Sequence, residues 1–354
     1  MPIARTVLFQ KYLLRWYKRN ARQLPWRKTK NPYKIWVSEI MLQQTQVETV
    51  IPFYKKWCQT FPSVRTLANT PAHKVMRLWA GLGYYRRARA LHQTAKIIVE
   101  KHKSKLPVSV KDLMKLPGIG RYTAGAIASI AFGKTAPVLD GNVIRVLTRL
   151  HAISNPIDSP MTIRKLWEMA ESMVPKNHAG DFNQAMMELG AMICRPDSPK
   201  CGICPVSKFC SAYRKNMTKK IPYRLKKERI KKITSAALIF QRDGKVLVQK
   251  QPRDGRWGSL WMFPFWENKK DFLKEAGSGP KNIRHKFTIR HGFTKYSINL
   301  QVFSSRTFRP LSLWAKPLEK KNQWVSIRNL GKLAFPSPHR KIAEFLLEES
   351  FKEQ

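Results

Sequence analysis

Residues 116–121 read Leu-Pro-Gly-Ile-Gly-Arg, and they leave the surrounding chain few options. Pro117 disfavours helix at the residue before it, so a helix over 109–116 must stop there. Ser109 can cap that helix, with Asp112 in its first turn. Gly118 and Gly120 admit positive φ and hence a tight turn. The run 122–132 (YTAGAIASIAF) is apolar, rich in small residues and long enough for a second helix. The prediction is a helix–hairpin–helix. With no bulky side chains in the turn, backbone N–H groups at the start of the second helix can meet a phosphate oxygen. An isolated L-P-G-x-G is more often a plain helix connection. Here Val-Leu-Asp-Gly-Asn-Val follows at 138–143 and puts one aspartate, Asp140, directly before a glycine.

Upstream, residues 6–19 have apolar side chains at helical spacing, and Asn31-Pro32-Tyr33 starts another helix. That second helix carries Ile35, Trp36, Val37, Ile40, Met41 and Leu42, which would bury it almost all round, with Glu39 in their midst. A carboxyl there is costly unless paired, which predicts a raised pKa; facing water at the helix edge is the other reading. Gln43-Gln44-Thr45-Gln46 is a polar cluster suited to hydrogen bonding, and residues 81–89 (GLGYYRRAR) mix glycines, aromatics and cations. Such a mixture suits base stacking and phosphate contact, or a solvated basic loop. Lys and Arg number 67 against 22 Asp and Glu, a formal charge of +45. That surplus predicts a polyanionic partner, nucleic acid before a membrane surface, because the cations are scattered through folded segments. The first twenty residues break every apolar run with charge, and no stretch approaches a membrane span, so a soluble cytoplasmic protein is expected.

Four of the five cysteines, Cys194, Cys201, Cys204 and Cys210, form a C-x6-C-x2-C-x5-C array. In a reducing compartment such an array binds metal, either structural zinc or a [4Fe–4S] cluster; the single close pair leans to the latter. Residues 216–232 read as a basic linker. Beyond it, strand-like runs at 233–240 and 245–249 flank Arg242-Asp243-Gly244, a hairpin signal. Further strands at 296–303 and 324–327 and a helix over 340–347 complete an α+β domain.

These motifs together resemble the adenine DNA glycosylases, within the helix–hairpin–helix superfamily that includes endonuclease III. The resemblance rests on LPWR at 24–27, PYKIWVSEIMLQQTQVETVIP at 32–52, GLGYYRRARAL at 81–91, LPGIGRYTAGAI at 116–127, VLDGNVIRVL at 138–147 and FNQAMMELGAMIC at 182–194. It implies an all-α catalytic region over 1–215. That region would divide into a six-helix barrel lobe at about 30–136 and an iron–sulfur lobe built from the N-terminal helix and about 137–215. A Nudix-like lesion-recognition domain would occupy 233–354. The cofactor implied is a structural [4Fe–4S] cluster on the four cysteines. The partner implied is double-stranded DNA with adenine opposite 8-oxoguanine or guanine, bound by a monomer.

The resemblance also assigns roles, and chemistry supports dividing them. Cleaving an N-glycosidic bond needs protonation of the leaving base and stabilisation of a cation-like sugar, two tasks for two carboxyls in different environments. Glu39 is the implied acid, Asp140 the implied stabiliser of the sugar, and Tyr122 their hydrogen-bonding support. Gln44 and Tyr84 match residues that wedge into the duplex once the base is flipped. Gly118 and Gly120 match the backbone grip, and Trp26, Arg27 and Gln184 the adenine pocket. Lyase members carry a lysine where this chain has Tyr122, so a monofunctional enzyme is expected. A bifunctional glycosylase/lyase and a non-catalytic DNA-binding protein are the alternatives. In the C-terminal domain, Glu267, Asp271 and Glu275 do not form the glutamate cluster that binds Mg²⁺ in Nudix hydrolases. Thr294, in His-Gly-Phe-Thr-Lys-Tyr at 291–296, matches the hydroxyl residue that reads 8-oxoguanine, with Lys295 where a histidine is usual.

Overall fold

The computed structural model describes residues 3–225, 230–252, 257–276, 283–293, 296–306 and 321–352. They form two compact units: Met1–Asn69 with Ala90–Lys227, and Thr70–Arg89 with Glu228–Gln354.

The first unit is helical. Its helices are α1 (Ile3–Asn20), α2 (Pro32–Leu42), α3 (Val47–Thr60) and α4 (Val64–Asn69). After α5 (Ala72–Trp79), which lies in the second unit, come α6 (Arg86–Lys101), whose first turn belongs to that unit too, α7 (Val110–Leu113) and α8 (Arg121–Ile130). Then follow α9 (Gly141–His151), α10 (Pro160–Met173), α11 (Ala179–Met192) and α12 (Ser211–Arg214). Phe9 and Leu13 of α1, Leu147 of α9, Leu166 of α10 and Phe182 and Leu189 of α11 share one core. Among the described residues no helix is long and apolar enough to cross a membrane.

The hairpin forms where Leu-Pro-Gly-Ile-Gly predicts it. Ser109 caps α7, its hydroxyl accepting from the Asp112 N–H at 3.0 Å. The α-helix is shorter than expected and ends at Leu113, the chain reaching Leu116 through turns. Gly118 has φ +78°, and a Cβ there would lie 2.7 Å from that of Ala90, so backbone conformation and space both demand glycine. Gly120 caps α8, whose residues from Thr123 onward are all buried.

The second unit is built on a mixed sheet. Strand β1 (Lys231–Arg242) lies parallel to β6 (Tyr296–Ser305), which pairs antiparallel with β5 (Arg284–Phe293). On the other side run β2 (Lys245–Lys250), β3 (Trp261–Met262) and β7 (Lys321–Ser326), and β4 (Phe265–Trp266) pairs with β1. Asp243 and Gly244 turn β1 into β2 with φ of +49° and +68°, as Asp-Gly predicts. Ala236 to Phe240 is apolar without alternation because both faces are covered there. Ala237 and Ile239 pack with Ile342 and Leu346 of α14 (Ser337–Lys352). Ala236, Leu238 and Phe240 pack with Phe272 of α13 (Lys269–Ala276).

Candidate active site

Helix α2 begins where Asn-Pro dictates, with the Asn31 side chain accepting from the Lys34 N–H and Pro32 in the first turn. Its apolar residues pack on every side, so Glu39 is carried inward and is only 5 % exposed. Of the two readings of this residue, burial holds. Tyr122, in the first turn of α8, donates its phenol proton to Glu39 Oε2 at 2.7 Å, and the Met187 sulfur lies 3.3 Å from the same oxygen of Tyr122. Burial pushes the Glu39 carboxyl up to about 7 and the nearby charge of Asp140 adds to this, against the Tyr122 hydrogen bond and the Arg27 charge. Burial, with the Glu39 and Asp140 charges, pushes the Tyr122 phenol well above its ordinary value, so it stays a donor.

Asp140 has a different setting. It is the N-cap of α9: Oδ1 accepts from the Val143 N–H at 2.7 Å and Oδ2 from Asn142 Nδ2 at 2.8 Å. Burial raises its pKa, while those donors, with Arg145, act in the opposite direction. The carboxyl also sits at the positive end of a helix dipole, which favours its anion. The segment carrying it is pinned from two sides. A Cβ on Gly125 of α8 would fall 2.1 Å from the Pro137 carbonyl, and one on Gly190 of α11 would fall 2.6 Å from the Asn142 Cβ. Burial raises both carboxyls, Glu39 to about 7 against one hydrogen bond and a cation, and Asp140 against several donors that oppose the rise, so the two sit in different environments.

The implied pocket residues differ in their situations. Arg27 is engaged: Nη1 and Nη2 donate to Glu188 at 3.0 and 2.7 Å, and Arg22 binds the same carboxylate from the other side. Trp26 is buried edge-on against Tyr54, with ring centroids 5.4 Å apart. Gln184 is half-buried on α11, one turn before the Met187 that touches Tyr122. Gln44 is exposed just past α2 with φ +56°, its neighbour Gln43 donating to Thr123 Oγ1 at 3.2 Å. Tyr84, in the second unit, has φ +49°, and the Arg87 guanidinium lies over both its ring and that of Trp79. Non-glycine residues held at positive φ are uncommon. Thr294 and Lys295 lie outside the described residues. Glu275, one of the scattered acids of the C-terminal domain, accepts from Trp266 Nε1 at 3.1 Å.

Glu188, Arg145 and Arg149 escaped the sequence reading. Nothing about a charge in an amphipathic helix says that it turns inward, although FNQAMMELGAMIC leaves Glu188 as the lone carboxylate in an apolar run, the signal that marked Glu39. Arg145 connects the Asp140 cap to the cysteine loop, donating to Asn142 Oδ1 at 2.8 Å and to the Cys194 carbonyl at 2.7 Å. Arg149 is fully buried, donating to Arg195 O at 2.6 Å, Pro196 O at 2.7 Å and Ile221 O at 2.9 Å, with Cys194 Sγ 3.4 Å away.

All four cysteines of the array are free and half-buried. Burial and the neighbouring thiols push Cys204 up to about 12, and burial with the same neighbours raises Cys201 and Cys210. Backbone N–H groups of Val206 lie toward Cys204 and those of Tyr213 and Ala212 toward Cys210, where they favour thiolate. Thiols beside amide donors and a buried guanidinium are the ligand type that an iron–sulfur cluster takes, four thiolates with hydrogen bonds to its sulfurs. Among the described residues, no group of three or more His, Cys, Asp or Glu side chains is placed to hold a single metal ion.

Two family models match the chain: HhH-GPD superfamily base excision DNA repair protein over residues 37–172, and NUDIX domain over residues 235–345. An adenine DNA glycosylase of Buchnera aphidicola (subsp. Schizaphis graminum) is 35% identical over 349 residues, covering 95% of this chain and 98% of its own. Among solved structures, a thermostable thymine-DNA glycosylase matches with TM-score 0.54 and 32% identity, over 59% of this chain and 97% of its own. A trapped endonuclease III–DNA covalent intermediate matches with TM-score 0.52 and 22% identity, over 61% and 99%, a likeness of fold.

Proposed function

Because the chain belongs to the adenine DNA glycosylases, base excision repair enzymes that hydrolyse N-glycosyl bonds in DNA, we propose that it removes adenine mispaired with 8-oxoguanine or guanine and leaves an abasic site. The observation that carries this reading is Glu39, buried, hydrogen-bonded by Tyr122 and raised to about 7. A carboxyl with that pKa is protonated in a useful fraction at neutral pH and can donate to the leaving adenine. As the bond breaks, Asp140 stabilises the cation-like sugar from the N-terminus of α9. Once deprotonated, Glu39 takes the proton of the attacking water. Tyr122 orients Glu39 throughout. Trp26, Arg27 and Gln184 bound the adenine, Gln44 and Tyr84 each wedge into the duplex, and Gly118 and Gly120 hold a phosphate. Thr294 reads the opposite base in a C-terminal domain from residue 233, joined by the basic linker at 216–232 to a catalytic region over 1–215, and the enzyme acts as a cytoplasmic monomer.

Single-turnover base release on duplexes with adenine opposite 8-oxoguanine, guanine, cytosine and thymine tests the reading. Release from the first two, well above the others, is expected; equal release from all four would overturn the mispair assignment. No lysine stands at Tyr122 to attack the sugar. Borohydride added during turnover should therefore trap almost no protein–DNA adduct, and efficient trapping would make the enzyme a lyase.

In the same reading Cys194, Cys201, Cys204 and Cys210 hold a [4Fe–4S] cluster, whose contribution when bound is to fix the loop between α11 and α12. Iron and acid-labile sulfide near four of each per chain are expected on analysis. Colourless protein containing zinc alone would refute this.

A further inference from the structure

Among the described residues, the sheet of the second unit is covered unevenly on its α13 face. Phe272 of α13 packs on Phe303, with ring centroids 4.7 Å apart, over the half that holds Leu238 and Phe240. The other half of that face carries Thr234, Thr288, Arg290, Asn299 and Gln301, which line a depression of about 600 Å³. Strand register arranges them in rungs: Thr234 pairs with Asn299 and Asn299 with Arg290, while Gln301 pairs with Thr288 on the next. Exposed Lys232, paired with Ser297, flanks them one rung further. Alternation along the strands explains why these side chains point away from Ile289, Ile298, Leu300 and Val302, which fill the core on the opposite face.

Alternation does not explain their chemistry. No carboxylate among the described residues lines the depression. Among the described residues, the side chains of Arg290, Asn299 and Gln301 make no hydrogen bond or ion pair within the chain. A guanidinium matches a phosphate bidentately, a carboxamide offers a donor and an acceptor side by side to a base edge, and threonine hydroxyls meet either. We infer that this open half of the sheet is a DNA-binding site that takes one nucleotide of a strand, Arg290 on its phosphate and Asn299 and Gln301 on its base. The positive charge of Lys232 and Arg290 commits the site to a polyanion, and its identity as DNA rests on the function proposed above.

The test uses the full chain and a single-stranded 12-mer oligodeoxynucleotide, with binding followed by fluorescence anisotropy across a salt series. Arg290→Gln should weaken binding several-fold at low salt and flatten the log–log salt slope by about 0.7, the value of one phosphate contact on a single strand. Asn299→Ala with Gln301→Ala should weaken binding roughly fivefold or more and leave the slope alone. Affinity and slope unchanged in both variants would overturn the site. Binding of dGMP that Arg290→Gln abolishes, with the oligonucleotide constants unchanged, would overturn the occupant and assign the depression to free nucleotides. Base release is read in the same preparations: its absence from the wild-type protein would sink the proposed reaction while the binding result still decides the site.

Discussion

Glu39→Gln should cut base release about a thousandfold and, above pH 7, make the protein more stable. The kinetic half follows from removing the acid: a positioned general acid contributes roughly 10² to 10⁴, and glutamine has no proton to give. Glutamine keeps the shape and still accepts the Tyr122 phenol proton, so binding of the mispaired duplex should persist within a few-fold. The stability half follows from burial. The folded carboxyl, at about 7, lies above its ordinary 4.5, so folding favours the protonated form. Stability therefore falls as pH rises from 4.5 to 7, and the cost is fully present above 7. A gap of that size corresponds to at most about 3 kcal/mol. The variant should melt above the wild type at pH 8, and the gap should close as pH falls below 4.5. Wild-type base release should decline as pH rises through about 7. A variant that keeps activity, or gains no stability at pH 8, would mean that Glu39 is not the buried acid.

How much of this site was legible in the sequence depended on whether local rules or packing decided each residue. Pro117, Gly118 and Gly120 act through backbone conformation, so the hairpin could be read directly; Asn31-Pro32 and Asp243-Gly244 were legible for the same reason. Glu39 was half-legible. An apolar run around one carboxylate signals either burial or an edge, and only the packing of α8 against α2, with Tyr122 arriving from 83 positions away, settles which. Strand β5 went unread because Arg284, His285, Lys286, Arg290 and His291 mask a strand that buries one face and solvates the other. The Asp140 setting was hidden for another reason. Its helix cap is local and predictable, but the close approach of Gly125 and Gly190 that pins the segment is a fact of three elements meeting. Arg145 and Arg149 could not be distinguished from the other cations of a chain with 67.

Glu188→Gln should lower the melting temperature of the chain by roughly 10 °C. Glu188 is 1% exposed as a side chain and is shared by Arg22, 33% exposed, and Arg27, 14% exposed. Its two oxygens accept four guanidinium contacts between 2.7 and 3.0 Å and a fifth bond from the Arg22 N–H at 2.9 Å. Burial alone would raise its pKa; the Arg27 and Arg22 hydrogen bonds outweigh this and hold it at about 2. Removing the carboxylate leaves two cations facing one another with little water, and breaking a buried pair in this way costs about 3–5 kcal/mol. For a unit of about 200 residues, each kcal/mol moves the melting temperature by about 2–4 °C. Arg22→Leu added to Glu188→Gln should recover part of the loss by removing one of the opposed cations. Because the folded pKa of Glu188 is depressed, its stabilisation is complete above pH 4.5 and is lost as pH falls toward 2. The gap between wild type and variant should therefore be constant from pH 8 to 5 and shrink as pH drops toward 3. A variant that melts with the wild type at pH 7 would show that the two arginines are solvated well enough to do without their carboxylate, and that the fixed position of Arg27 beside Glu39 has another cause.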